Sequence, residues 1–188
     1  MRAPSPASSL VAATLALALA APVRAELRIS DLEVFLNDHE VTVHVVLLGA
    51  LAEAIHEGIQ SGIPVHVRFT IQLWQYNPYW RDQLLVTKVL ERNLAYNVVT
   101  KEFKIASLRG EERPVFATRD LRDAQRVLAE VRGLKLSPTT ALAPTAVIYV
   151  RVDAESALRG ENTVFTRMAG TAERTFRQSD YRTLERVQ

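Results

Sequence analysis

Apolar and polar residues alternate through residues 27–36 and again through 41–48, and Asn37-Asp38-His39-Glu40 between them has turn chemistry. The pattern predicts a hairpin. Residues 50–60 switch to helical spacing, with Leu51, Ala54, Ile55 and Ile59 on one side and Gly62 with Pro64 closing the segment. The strongest period-two signal follows: Ile63, Val65, Val67, Phe69, Ile71 and Leu73 point one way, and His66, Arg68, Thr70, Gln72 and Trp74 the other. A long, half-buried strand is expected there, broken by Asn77-Pro78. Leu84, Val86, Lys88, Leu90, Arg92 and Leu94 then form the returning arm of an antiparallel pair, and residues 96–105 read as a third strand. Residues 115–117 add a short strand. Residues 120–132 carry Leu121, Ala124, Val127, Leu128 and Val131 at helical spacing, with Thr118 as the cap ahead and Gly133 as the terminator. Residues 147–152 are the last clear strand. From about residue 154 the pattern weakens at Gly160, Asn162 and Gly170, and no element is assigned. Long strands, short turns and two isolated helices predict an α+β fold. It is mainly antiparallel β, one sheet or a two-sheet sandwich, with the two helices packed against it.

The first 25 residues stand apart from this pattern. Arg2, an apolar run over residues 10–21 and the small-residue end Val23-Arg24-Ala25 read as a signal peptide cleaved after Ala25. A run of about a dozen residues is short of the roughly 20 that span a bilayer. The expected mature chain, residues 26–188, is then one strand-rich domain, exported, periplasmic and soluble, with no transmembrane segment. Cleavage also changes the charge. The 23 Lys and Arg residues lose Arg2 and Arg24 and come to equal the 21 Asp and Glu residues, so the formal +2 leaves with the signal and no nucleic-acid partner is implied. The chain has no cysteine, which removes disulfides, thiol catalysis and a cysteine-linked lipid anchor.

The run Gly58-Ile59-Gln60-Ser61-Gly62-Ile63-Pro64, followed by Val65-His66-Val67-Arg68-Phe69-Thr70-Ile71-Gln72-Leu73-Trp74, resembles a bacterial exported family known as domain of unknown function 4390. In that family a helix ends in a Ser-Gly-Ile-Pro-like turn before a long strand. The likeness continues through Trp80-Arg81-Asp82 and residues 93–103, and more weakly through residues 120–132, Tyr149-Val150-Arg151-Val152, Phe176, Asp180 and Tyr181. The resemblance implies an exported, strand-rich envelope domain. It carries over no catalytic residue.

Little in the chain points to catalysis, and no cofactor is implied. No serine sits in a Gly-x-Ser-x-Gly elbow, and there is no Gly-rich phosphate loop. His56-Glu57 opens a zincin-like motif, but Gln60 stands where the second ligand belongs, and Glu53 with His56 forms a single Glu-x-x-His without a second copy. His44 and His66 lie on the less apolar faces of their strands and would meet if those strands paired, with His39 nearby; they are the residues of a metal-dependent hydrolase alternative. Arg68, Arg81, Lys88 and Arg92 are expected on a mixed-charge exposed face with Asp82, Glu91 and Glu102. The strongest candidate surface is the aromatic cluster Trp74, Tyr76, Tyr79 and Trp80 around Asn77-Pro78, which contains both tryptophans of the chain. On this reading the protein is a non-enzymatic interaction module. Its partner is an envelope protein or a cell-wall or lipid component.

Overall fold

The computed structural model describes residues 26–37 and 39–184; the predicted signal peptide and Asp38 of the first turn lie outside the described residues. Strands β1 (Arg28–Leu36) and β2 (Glu40–Leu48) form the expected hairpin. Its turn is held by Asn37, whose Oδ1 accepts the backbone N–H groups of His39 at 3.0 Å and Glu40 at 2.6 Å. Helix α1 (Glu53–Gln60) buries Ile55 and Ile59 and ends at Gly62, whose φ of +81° only glycine adopts without strain.

The chain continues through β3 (Val65–Gln75), β4 (Gln83–Asn97), β5 (Glu102–Arg109), β6 (Phe116–Thr118) and helix α2 (Leu121–Ala129). It then forms β7 (Glu130–Pro138), β8 (Val147–Leu158), helix α3 (Val164–Met168), β9 (Ala172–Gln178) and β10 (Arg182–Thr183). Among the described residues the strands make two sheets, antiparallel throughout. The smaller has the order β1-β2-β7; the larger runs β8-β3-β4-β5-β6, with β9 and β10 both pairing with the far edge of β8. One buried cluster joins the sheets. It takes Val41, Val43 and Val45 from β2, the alternate residues Val65 to Leu73 from β3, Ile148, Val150 and Val152 from β8, and Leu128 from α2. Each such side chain contributes about 1.5–3 kcal/mol by leaving water. At the β1/β9 edge the sheets are stitched by Arg177, whose Nη1 donates to the carbonyls of Ile29 (3.0 Å) and Ser30 (2.7 Å), and by Glu173, which accepts the Leu27 N–H at 2.7 Å.

The α+β, mainly antiparallel architecture stands as expected, and four local features differ. Residues 96–105 are not one strand. Asn97 Oδ1 accepts the N–H groups of Val99 and Thr100, a side-chain-stabilised turn that ends β4 and starts β5. Helix α2 is capped by Asp120, which accepts the Arg122 N–H at 2.7 Å, while Thr118, two residues earlier, accepts the Asp120 N–H at 3.1 Å. The helix stops at Ala129 rather than at Gly133, because residues 130–138 pair with β2; Gly133, at φ +57°, lies inside β7. The tail is structured through residues 154–184. It finishes β8, forms the third helix α3, and returns as β9.

Candidate functional site

Strands β3 and β4 hold register from Val65↔Leu94 to Leu73↔Val86 and then slip by one residue, so that Trp74 faces Leu84 and Gln75 faces Gln83. The bulge twists the end of the hairpin and leads into the turn of residues 76–82. Trp74 lies opposite Tyr149 of β8, and the two rings stack with centroids 6.4 Å apart and planes within 5°. The Arg151 guanidinium sits over both, 5.0 Å from the Trp74 ring and 5.2 Å from Tyr149.

This stack is the floor of a brace. Tyr149 is fully buried, and its hydroxyl donates to Asp82 Oδ2 at 2.6 Å. Asp82 Oδ1 accepts the Asn77 N–H at 3.1 Å, and Asn77 Oδ1 accepts the Tyr79 N–H at 3.0 Å. Burial pushes the Tyr149 hydroxyl up to about 12, with the bond to Asp82 adding to the rise and Arg151 opposing it. The same bond, followed by the Asn77 N–H, holds the Asp82 carboxyl below its usual range. Tyr76 donates its N–H to the Val147 carbonyl at 2.8 Å and meets Tyr181 edge-on at 5.2 Å, as Tyr181 in turn meets Tyr149.

Braced in this way, the turn presents aromatic rings to solvent. Tyr79 is 92% exposed and Trp80 80%, with Tyr76 at 40% and Tyr181 at 53% beside them. The four cluster residues therefore divide. Trp74 belongs to the floor, Tyr76 to the wall, and Tyr79 and Trp80 to the projecting tip. Arg81 next to Trp80 and Arg182 next to Tyr181 are exposed cations. Asp82, Tyr149, Arg151 and Tyr181 complete the site without standing out by type or spacing. The signals for them were the family likeness at Trp80-Arg81-Asp82 and, more weakly, at Tyr149-Val150-Arg151-Val152 and Tyr181, with Asp82 otherwise read only as one charge of a mixed-charge face. Chemically the tip offers ring faces, an indole N–H, phenol hydroxyls and guanidinium groups. The groups with displaced pKa, Asp82 and Tyr149, are engaged with each other.

The two histidines are not brought together. His44 is on β2 and His66 on β3, which belong to different sheets, so the strand pairing that would have joined them does not occur. His44 Nε2 lies 3.6 Å from Glu130 Oε1, and His66 packs against Gly160 beside Arg68 and Glu155. Among the described residues no three His, Cys, Asp or Glu side chains gather in a way that would hold a metal ion.

Arg92 is also not where the sequence placed it. The residue is on the inner face and 2% exposed, and its guanidinium forks onto Glu111 (Nε–Oε2 3.0 Å, Nη2–Oε1 2.7 Å). Its Nη1 donates to the carbonyls of Val127, Leu128 and Glu130 at 2.8, 3.2 and 2.7 Å, closing the C-terminal end of α2. A cavity of about 260 Å³ adjoins it, and within it the buried Ser107 Oγ has no partner. Arg68, by contrast, is on the outer face and pairs with Glu91 at 3.1 Å, within the mixed-charge surface expected. A second cleft of about 500 Å³ lies between the end of β2 and α2, walled by Leu48, Leu51 and Ala129 with Arg126 and Arg132 at its rim. Both arginines are ion-paired, to Asp123 and Glu130.

No curated protein and no solved structure matches the chain. Residues 24–169, most of the chain and all of the hairpin that carries the tip, match the model of a family described as domain of unknown function (DUF4390). The match extends over strands β1 to β8 and both longer helices, as the Ser-Gly-Ile-Pro turn and the strand after it led one to expect, and the protein belongs to the DUF4390 family.

Proposed function

We propose that this protein is an exported envelope binding module without catalytic activity, acting in the periplasm through the aromatic tip of the β3–β4 hairpin. One observation carries the reading: Tyr79 and Trp80 stand almost wholly in water on a turn fixed by the Asp82–Tyr149 and Asn77–Tyr79 hydrogen bonds. A large aromatic side chain left exposed loses the stabilisation that burial would give it, and exposed aromatics on a fixed scaffold are what binding surfaces use. No helix of the described residues is long and apolar enough to cross a membrane. The export part of the reading rests on the N-terminal charge, the short apolar run and the Val-Arg-Ala end. The histidine- or metal-dependent hydrolase has no supporting observation, since His44 and His66 occupy separate sheets.

The test is a photo-activatable side chain at position 80 in cells, compared with one at the exposed Phe176 on β9. Specific adducts from position 80 alone, with a protein or with lipid, support the reading. Equal labelling from both positions overturns it. Trp74 is unsuited to this test because it belongs to the brace.

A further inference from the structure

We infer that the partner of the tip is a lipid bilayer surface carrying anionic headgroups, an inference that rests on the binding-module reading and names its ligand. Four properties of the site select that partner. Tryptophan and tyrosine combine an apolar ring with one polar atom, the combination that settles at the boundary between headgroups and acyl chains. Tyr76, Tyr79 and Trp80 stand exposed on one turn at the end of the larger sheet, and Tyr181, also exposed, meets Tyr76 edge-on.

Shape is the second property. The rings project from a turn at the end of a hairpin, whereas small-molecule sites are concave and enclose most of their ligand. A projecting tip suits a broad surface. Third, the Asp82, Asn77 and Tyr149 bonds fix the turn in advance, so insertion does not have to order it first. Fourth, the charge is complementary. Arg81 and Arg182 are exposed next to Trp80 and Tyr181, and Arg151 lies over the Trp74 and Tyr149 rings behind them, three cations against the carboxylates of Asp82 and Asp180. Arginines at this depth can meet phosphate oxygens while the rings enter below them.

The opposite end of the same sheet supplies an internal control. Phe165 and Met168 of α3 are as exposed as Trp80, but they lie beyond the other end of β8 and offer neither an indole nor a phenol. Hydrophobic exposure alone would make both ends bind. The interfacial reading requires the tip.

The experiment uses the chain from Glu26 onward, which holds the whole described core and lacks the apolar leader that would itself bind lipid. The chain has two tryptophans, so the emission of Trp80 is taken as the difference between the unmodified protein and Trp80→Phe, which leaves the brace residue Trp74 in place. That difference is followed on adding large unilamellar vesicles of phosphatidylethanolamine with phosphatidylglycerol, of phosphatidylcholine alone, and vesicles with brominated acyl chains. Inorganic phosphate without vesicles is the further arm. The expected result is a blue shift with the anionic vesicles, quenching by bromine, a weaker response with phosphatidylcholine and none with inorganic phosphate. Tyr79→Ala with Trp80→Ala should weaken co-sedimentation with the anionic vesicles about tenfold or more, while Phe165→Ser with Met168→Ser leaves it unchanged. Absence of the blue shift, binding indifferent to the tip substitutions, dependence on Phe165 and Met168, or a response to free phosphate alone would each overturn the inference. If vesicles are ignored but position 80 still crosslinks one protein in cells, the lipid assignment fails and the binding-module reading stands.

Discussion

Replacing Arg92 with Met should destabilise the protein by about 3–5 kcal/mol, the cost of breaking a buried ion pair by removing one partner. The structure indicates the lower half of that range. Glu111 keeps one contact, since Arg113 Nε lies 3.4 Å from its Oε2, and its side chain retains 10% exposure. A loss of about 3 kcal/mol, at a urea slope of about 2 kcal/mol per molar, moves the unfolding midpoint down by about 1.5 M. Pairing the change with Glu111→Met removes the stranded carboxylate and should recover part of the loss. Recovery should be incomplete, because the carbonyls of Val127, Leu128 and Glu130 still lack the donor that Arg92 Nη1 supplies. Arg92→Lys restores charge without the fork and should fall between the two. Equilibrium urea unfolding followed by far-UV circular dichroism measures all four proteins. A midpoint change under about 0.5 M for Arg92→Met, with the slope unchanged, would refute the account of Arg92 as the clasp between β4, the β5–β6 connection and α2. Full recovery in the double variant would refute the part assigned to the helix carbonyls.

Four further outcomes follow from the site and the fold around it. Trp80→Ala should change stability by no more than about 0.5 kcal/mol, whereas Leu73→Ala, seven residues earlier and fully buried, should cost about 2–5 kcal/mol; thermal unfolding of the two variants checks this. Because the folded-state pKa of Tyr149 is raised to about 12, its contribution is complete below the ordinary tyrosine value near 10 and is lost as pH rises from there towards 12. Stability measured across that window should fall less steeply in Tyr149→Phe, and an identical slope would count against the bond. Asp82 has the opposite sign: its depressed pKa helps the fold above the ordinary carboxylate range and the help is lost as pH falls through the folded value, so Tyr149→Phe should move the Asp82 titration upward in an NMR experiment. Gly110→Ala should cost more than the about 1–2 kcal/mol of a left-handed residue, since φ is +81° and a Cβ there would stand 2.1 Å from the Val89 carbonyl oxygen; a chemical-denaturation midpoint near that of the unmodified protein would contradict the geometry.

What was legible in the sequence was whatever repeats along a strand or helix. Val65 to Leu73 announces a half-buried strand through alternation alone, and the buried set agrees with it at every second position. Asn37 and Asn97 show where that reading reaches its limit. Both form side-chain-stabilised turns, but only the first was flanked by two clean alternating runs; the second sat inside a run whose apolar residues Val98 and Val99 imitate a strand while standing exposed in the turn. Arg92 misled for a different reason. Alternation placed it with Leu90 and Leu94, the face that is in fact buried, and residue type argued for solvent; Glu111, 19 residues further on, and three helix carbonyls decide the matter. Pairing between β8 and β3 sets Tyr149 opposite Trp74 across a separation in sequence that no local pattern encodes, so the brace was invisible although its aromatic tip was not.

The division of the aromatic cluster into floor and tip bears directly on how function and stability separate in this fold. Trp74 and Tyr149 are tied into the sheet by stacking, by Arg151 and by the Asp82 bond, so changing them alters the scaffold as well as the surface. Tyr79 and Trp80 touch the scaffold chiefly through backbone, through the Asn77 turn that receives the Tyr79 N–H. Their side chains can be removed without a cavity and without an unsatisfied polar group, the two mechanisms that make single substitutions severe. A loss of binding in tip variants that retain the unfolding midpoint therefore reports on recognition alone. A loss in Trp74 variants would not, and only the structure distinguishes two tryptophans that lie six residues apart on the same hairpin.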